Sequence, residues 1–265
     1  MYNFTYHRPG STREAQDLAA KSSEGRFLSG GMTLLPAMKL RLSQPSDLID
    51  LSRINDLKGI SITGSELRIK AMTTHAAVAA SPEVRKAIPA LADLAGHIGD
   101  PQVRHRGTIG GSLANNDPAA DYPAAVLALN ATIQTSKRSI PADSFFKGLF
   151  ETALEPGELI TSVTFPIPQS AAYQKFPHPA SRYAVVGVFV ARTAERGVRV
   201  GVTGAGPCAF RATAFEQALL KNFTADALKG LTIPAAGLNS DIHAGADYRA
   251  HLIGVLARRA VAAAA

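Results

Sequence analysis

Cysteine is nearly absent from this 265-residue chain, with Cys208 standing alone. A single cysteine excludes an internal disulfide and any iron–sulfur cluster held by four cysteines of this chain. The seven histidines show neither H-x-x-x-H nor H-E-x-x-H spacing, so no dedicated zinc site is expected. Long apolar runs are missing, and the N-terminus MYNFTYHRPG lacks a basic segment followed by an apolar one. These features predict an unexported, cytoplasmic protein with no transmembrane segment. Basic runs are also missing. The net charge is +7, but the lysines and arginines are scattered with no aromatic-rich basic stripe, so nucleic acid is not an expected partner. A scattered positive balance suits solubility or an anionic ligand or partner. Nor does any Ser/His/Asp or paired-carboxylate pattern suggest a catalytic acid or base.

What is present is a folding composition, 46% hydrophobic and 18% charged, long enough for one large domain or two to three small ones. YNFTY alternates, placing Tyr2, Phe4 and Tyr6 on one side of an expected half-buried strand. Ser11 and Glu14 have capping-box spacing ahead of the helix AQDLAAKS. RFLSG then reads as a strand that runs into GGMTLLPAMKLRL, a glycine pair followed by a helical turn around Leu34, Pro36 and Met38. Such a turn is either a plain strand-to-helix connection or a place where backbone N–H groups meet an anion such as phosphate.

KGISITGSELRIKAM carries a hairpin signal at Gly64-Ser65, and Thr73-Thr74 precede an alanine-rich helical run through Ala80. Ser81-Pro82 starts another helix, which Pro89 should end or kink. From Ile98 to Asp121 the chain reads IGDPQVRHRGTIGGSLANNDPAAD, glycine-rich and dense in hydrogen-bonding groups. This composition predicts a loop that closely approaches a ligand. Arg104 and Arg106 fit either a phosphate contact or ordinary surface charge. Asp121 precedes the short helix of YPAAVLALNATIQT and by itself reads as its N-cap.

Pro166, Pro168 and Gln169-Ser170 mark a linker or domain crossing. Beyond it, AVVGVFVARTA and VRVGVTGAG are apolar strands joined through Glu195-Arg196-Gly197, a hairpin signal. Helical segments follow at ATAFEQALLKN and ADALKG, and the terminal HLIGVLARRAVAAAA is an alanine-rich helix whose end should fray. Gly204 to Ala209 fits the dinucleotide pattern G-x-G-x-x-A, with Asp226 downstream. Pro207 removes one N–H donor, and the strand before it pairs in an antiparallel hairpin, so this match is read as a decoy.

Two glycine segments taken together are more specific. Gly30, Gly31, Thr33, Leu34 and Pro36 match a G-G-x-S/T-L-x-P segment; Ala71, Thr73 and Thr74 match A-x-T-T. Gln102, Arg104, Gly107 to Gly111, Asp117, Pro118 and Asp121 match positions of a longer Q-x-R-N-x-G-T-I-G-G-N-x-A pattern with a D-P-A-A-D ending. Lys175, Arg182, the VGVFVA strand, Pro207 and Arg211 extend the match toward the C-terminus. In this order and spacing the chain resembles the FAD-binding medium subunit of the molybdenum hydroxylases, the xanthine dehydrogenase and aerobic carbon monoxide dehydrogenase type.

The resemblance implies an α+β fold. A two-lobed FAD-binding domain of the vanillyl-alcohol-oxidase/PCMH type would span residues 1–168 (lobes about 1–55 and 56–168), and a C-terminal antiparallel sheet-plus-helix domain 169–265. It implies that FAD is held by Phe27, Leu28, Ser29, Gly30, Gly31, Met32, Thr33 and Leu34, and by Thr108, Ile109, Gly110, Gly111 and Ser112. Asp121 would accept hydrogen bonds from it, with Ile98, Ile160 and Lys175 along its path. Ser112 and His105 stand where the family commonly has Asn, and Met32 where a polar residue is frequent. The implied function is electron transfer: FAD takes electrons from iron–sulfur clusters of a small subunit, serving a molybdopterin-binding large subunit, and passes them to NAD, a quinone or oxygen. The implied assembly is a dimer of heterotrimers, and a lone cysteine fits that division of labour. An alternative is a stand-alone FAD-dependent oxidase of the vanillyl-alcohol-oxidase type, and a second is a non-enzymatic binding module. An oxidase would need a catalytic base and often a His or Cys tether to the flavin, and the C-terminal hundred residues show neither.

Overall fold

The computed structural model describes residues 1–193 and 197–264. The first elements are β1 (Thr5–His7), α1 (Thr12–Lys21), β2 (Gly25–Leu28), α2 (Leu34–Lys39) and β3 (Asp47–Asp50). The strands form a parallel sheet in the order β1-β3-β2. Ser11 caps α1 by accepting from the Glu14 N–H at 3.2 Å, while Glu14 Oε2 accepts from the Gly10 N–H at 2.7 Å, one residue further back than the usual box. The expected Tyr2–Phe4–Tyr6 stripe is not buried. Only Thr5–His7 is strand, and Tyr6 is 50% exposed. As an edge strand β1 has little to cover that face, and Tyr6 instead donates its hydroxyl to Asp50 at the rim.

A five-stranded antiparallel sheet follows. In chain order its surroundings are β4 (Ile60–Thr63), β5 (Glu66–Lys70), α3 (His75–Ala80), α4 (Pro82–Ala87), α5 (Pro89–Gly96), α6 (Pro101–Arg106), α7 (Ile109–Asn115) and α8 (Tyr122–Ala128). Next come β6 (Thr132–Thr135), β7 (Ser139–Pro141), α9 (Ala142–Phe145), the small hairpin β8 (Phe146–Gly148) and β9 (Glu151–Thr152), and β10 (Ile160–Pro166). The sheet order is β4-β5-β10-β6-β7. Gly64 turns the β4–β5 hairpin at φ +57°, as the Gly-Ser pair predicts. Pro89 splits α4 from α5, again as expected. Leu67, Ile69, Leu91, Ile109, Val126 and Phe165 share the core between this sheet and its helices.

The expected ligand-hugging loop from Ile98 to Asp121 is largely helical, in α6 and α7. Gly99 turns the chain at φ +53°, whereas Gly107 and Gly110 serve packing. A Cβ at Gly110 would come 2.6 Å from Ala71 Cβ, and one at Gly107 would come 2.5 Å from His75 Nε2. Helix propensity is low there, and tertiary contact overrides it.

The remaining chain forms β11 (Ser170–Pro177), β12 (Ala184–Thr193), β13 (Gly197–Thr203), β14 (Phe210–Arg211), α10 (Thr213–Lys221) and α11 (Ala246–Ala264). The four strands are antiparallel in chain order, backed by α10 and α11 over a valine-rich core. Thr193 pairs with Gly197 across the β12–β13 turn, whose Glu195 and Arg196 lie outside the described residues. α11 does not fray where expected: Ala260, Val261 and Ala264 are buried against the sheet. Gly204 to Ala209 follows a strand with only antiparallel neighbours, and the Gly204 N–H is bonded to Pro118 O at 2.8 Å. The Gly204 donor is spent within the protein and the strand before it has no parallel neighbour, which removes the decoy.

Candidate cofactor site

Two chain segments meet at the N-terminal half of the molecule. β2 delivers Phe27 and Leu28, half-buried, then breaks at Ser29-Gly30-Gly31 before α2 begins at Leu34. Gly30 packs on the backbone at the end of α6, where a Cβ would lie 2.1 Å from Arg106 O, and Gly31 adopts φ +75°. Both positions therefore demand glycine. Ser29 Oγ and Thr108 Oγ1 are 2.6 Å apart, a hydroxyl pair that ties the first segment to the second. Among the described residues, no hydrogen bond occupies the N–H groups of Gly30, Gly31, Met32, Thr33 or Leu34. Gly30 and Gly31 are buried; Met32 and Thr33 are exposed. A run of unclaimed donors beside two hydroxyls is a cradle for an oxyanion such as a pyrophosphate.

The second segment contributes less backbone than expected. Thr108 caps α7, its Oγ1 accepting from the Gly111 N–H at 3.1 Å. Ile109 N–H donates to Thr73 O at 3.1 Å and Gly110 N–H to Ala71 O at 2.9 Å. Only the Thr108 N–H lacks an acceptor among the described residues, so this segment offers the Thr108 and Ser112 hydroxyls and the bare face of Gly111. Ile109 is fully buried in the core, as is Ile160 on β10. Ile160 connects to the segment through backbone: the neighbouring Thr161 O accepts from Ala71 N, and Ala71 O from Gly110 N, each at 2.9 Å.

Asp121, Lys175 and Ile98 form a second group. Asp121 occupies the N-cap position of α8 but has helical backbone angles and makes no capping bond, which corrects the simplest reading of it. Its carboxylate, only 4% exposed, accepts from Tyr173 Oη at 2.5 Å and from Lys175 Nζ at 2.9 to 3.0 Å. Burial pushes the Asp121 carboxyl up from the usual range, opposed first by the Lys175 ammonium and then by the Tyr173 hydroxyl. Lys175 Nζ also donates to His97 O at 3.1 Å, next to Ile98. Arg104 is committed locally, donating to Ile98 O at 3.1 Å and Gly99 O at 2.9 Å, so its first role is to close the α5–α6 connection.

His75 and Tyr122 join the two groups. The His75 N–H bonds Gly107 O at 2.9 Å, and its ring lies 5.4 Å from that of Tyr122, the residue after Asp121. Among the described residues neither His75 Nδ1 nor Tyr122 Oη has a hydrogen-bond partner. Burial, and then the Arg104 charge, drop His75 to about 4, so its ring is neutral. Sequence reasoning missed His75, Tyr122 and Tyr173. Tyr173 carried a signal, since it lies two residues before Lys175 and so on the same face of a strand. A cleft of about 520 Å³ opens beside Lys175, lined on its basic side by His97, Arg104, His178 and Arg182. A wider hollow of about 670 Å³ near Phe4, Glu24 and Pro45 shares no residue with either group.

The sequence and the overall fold are matched by known proteins. Residues 2–168 match the family described as the FAD binding domain in molybdopterin dehydrogenase. The chain belongs to this family. The carbon monoxide dehydrogenase medium chain of Hydrogenophaga pseudoflava is 36% identical, over 98% of this chain and 96% of that one. The nicotine 6-hydroxylase medium subunit of Paenarthrobacter nicotinovorans is also 36% identical, over 97% and 95%. A solved carbon monoxide dehydrogenase from Hydrogenophaga pseudoflava, lacking the Mo-pyranopterin moiety, superposes with a TM-score of 0.90 at 38% identity, covering 99% of this chain and 97% of that one. The chain is thus an FAD-binding subunit of the molybdenum hydroxylase family, an oxidoreductase component with an α+β fold. A stand-alone oxidase is not favoured, because the relatives are medium subunits of larger enzymes. Among the described residues no helix is long and apolar enough to cross a membrane.

Proposed function

We propose that this subunit holds FAD between the Phe27–Leu34 and Thr108–Ser112 segments and relays electrons from iron–sulfur clusters on a small subunit to NAD, a quinone or oxygen. Substrate oxidation belongs to a molybdopterin-binding large subunit, and the assembly is a dimer of heterotrimers in the cytoplasm. Residues 1–168 form the FAD-binding domain and 169–265 a C-terminal domain that supplies Lys175. Bound FAD supplies the hydride and one-electron chemistry, so the protein contributes binding, orientation and electrostatics. The free N–H groups of Gly30 to Leu34, beside the Ser29–Thr108 hydroxyl pair, carry this reading. They meet the charge of the pyrophosphate, while Asp121 accepts from a hydroxyl or N–H of the cofactor and Ile98 flanks its path. Ile109, Gly110 and Ile160 shape the site through their backbone and core packing rather than by offering donors.

Reconstitution tests this directly. Purified full-length subunit mixed with FAD and desalted should retain a flavin absorbance spectrum with one cofactor per chain. A correctly folded protein that stays colourless refutes the reading. Turnover of an organic substrate by the lone subunit would refute the division of labour.

A further inference from the structure

We propose that Tyr173 is a positioning residue for the cofactor: through its hydroxyl, with room supplied by Gly187 and the preceding backbone held by Thr203, it sets the Asp121 carboxylate in a fixed orientation. This rests on the reading that Asp121 contacts FAD.

The argument begins with the hydroxyl itself. Tyr173 is buried, and its ring packs 6.1 Å from Phe189 in the core. A phenylalanine would fill the same space without the cost of desolvating a hydroxyl. The hydroxyl is met by Asp121 Oδ1 at 2.5 Å. Lys175 Nζ lies 2.9 Å from Oδ1 and 3.0 Å from Oδ2. A carboxylate has about four lone-pair sites, so Tyr173 and Lys175 together leave Oδ2 with room for another donor. With Oδ1 engaged on one side, rotation of the carboxylate would break a buried charge-assisted bond.

Reach requires an empty place in β12. Lys175 pairs with Gly187, and Gly187 pairs with Thr203, making one row across three strands. A Cβ at Gly187 would lie 2.4 Å from Tyr173 Oη and 2.9 Å from Thr203 Cγ2. Any side chain there would push the hydroxyl off Asp121. The third strand fixes the backbone. Thr203 Oγ1 is 2.6 Å from Ala120 O and 3.0 Å from Pro118 O, and the Gly204 N–H donates to Pro118 O at 2.8 Å. The segment leading into Asp121 is therefore held at both ends of its last turn.

Electrostatics follow the same geometry. Burial alone raises the Asp121 carboxyl, and Lys175, Tyr173 and His97 act against that. Tyr122, Tyr183, Asp93 and Asp117 complete the titratable surroundings of this pair. Loss of the Tyr173 hydroxyl removes a bond that is stronger to the ionised form, so protonation of Asp121 moves to higher pH.

The test measures FAD affinity of the full-length subunit by flavin fluorescence quenching as pH is lowered from neutral. Tyr173→Phe should weaken affinity about tenfold and move the acid midpoint of binding upward. A merely structural tyrosine would leave that midpoint in place. Gly187→Ala, which keeps the hydroxyl but displaces it, should shift the midpoint the same way, and it decides the matter if Tyr173→Phe does not fold. Wild-type affinity and midpoint in whichever variant folds would overturn the proposal. Asp121→Asn separates the two readings: if it binds FAD as wild type does, Asp121 is not a cofactor residue and the underlying reading fails.

Discussion

Two buried side chains, His75 and Glu158, make stability depend on pH in opposite parts of the acid range. His75, 5% exposed, is driven down to about 4 by burial and by Arg104. The unfolded chain takes up a proton on this histidine near pH 6.5, the folded protein only near 4. Stability is therefore full above about 6.5 and falls as pH drops toward 4. Glu158 behaves as a paired carboxylate. Burial opposes its ionisation, but Arg138, Thr135 and the Glu155 N–H hold it at about 2. Its contribution is present above about pH 4.5 and is lost as pH falls through 2. Denaturant unfolding across acid pH should show two successive losses, each about 2 to 3 kcal/mol, the second reduced by screening at half-exposed Arg138. His75→Leu should abolish the upper step and Glu158→Gln the lower. A single step near pH 4.5 in wild type would contradict the assignment of His75.

At the scale of elements, the glycines divide by what surrounds them. A methyl at Gly30 meets backbone, Arg106 O at 2.1 Å, which cannot swing aside. Gly30→Ala should therefore separate β2 from α6, cost roughly 1 to 3 kcal/mol and strip FAD from the purified subunit. Gly64, at φ +57° with nothing within 4 Å, offers the contrast. Gly64→Ala should cost about 1 kcal/mol through backbone strain alone and keep full FAD content. Equal flavin loss in both would mean that the glycine segment matters only for stability. The same contrast explains how far the chain could be read from sequence. Turns with local causes, Gly64-Ser65 and Ser81-Pro82 with Pro89, were legible because their signals and their structures occupy the same few residues. α6 and α7 were not, because Gly107 and Gly110 answer to His75 and Ala71, more than thirty residues away. Ordered motifs picked out two glycine segments that the fold does bring together. They gave no hint that the first donors of α7 are spent on Thr73 and Ala71, leaving the run of free N–H groups on the first segment and only the Thr108 N–H on the second, among the described residues.

The whole molecule packs its C-terminal sheet against α8 and the Asp121 side chain. α8, which begins just after Asp121, lies on β13 so closely that a Cβ at Gly201 would sit 2.1 Å from Ala124 O. Arg199, on the same strand, is buried and donates Nε to Leu127 O at 2.8 Å near the other end of that helix. Its guanidinium pairs with Asp143 on α9, and Asp143 pairs with Arg211 at 3.2 Å, which in turn reaches Glu216 on α10 at 3.0 Å. One charge network thus spans β13, β14, α9 and α10 and holds α8 from below while Tyr173 and Lys175 hold Asp121 at its start. Arg199→Met keeps the aliphatic stem but removes every charge-assisted bond from the centre. Asp143 retains Arg211 and is partly exposed, so the cost should stay at about 3 kcal/mol, at the lower end for a broken buried pair. If α8 is a rigid link, FAD affinity should fall with it, and hydrogen exchange should rise along Tyr122–Ala128 more than in β4 or β5. If the sheet only covers the helix, stability will drop while exchange in α8 and flavin affinity stay at wild-type values.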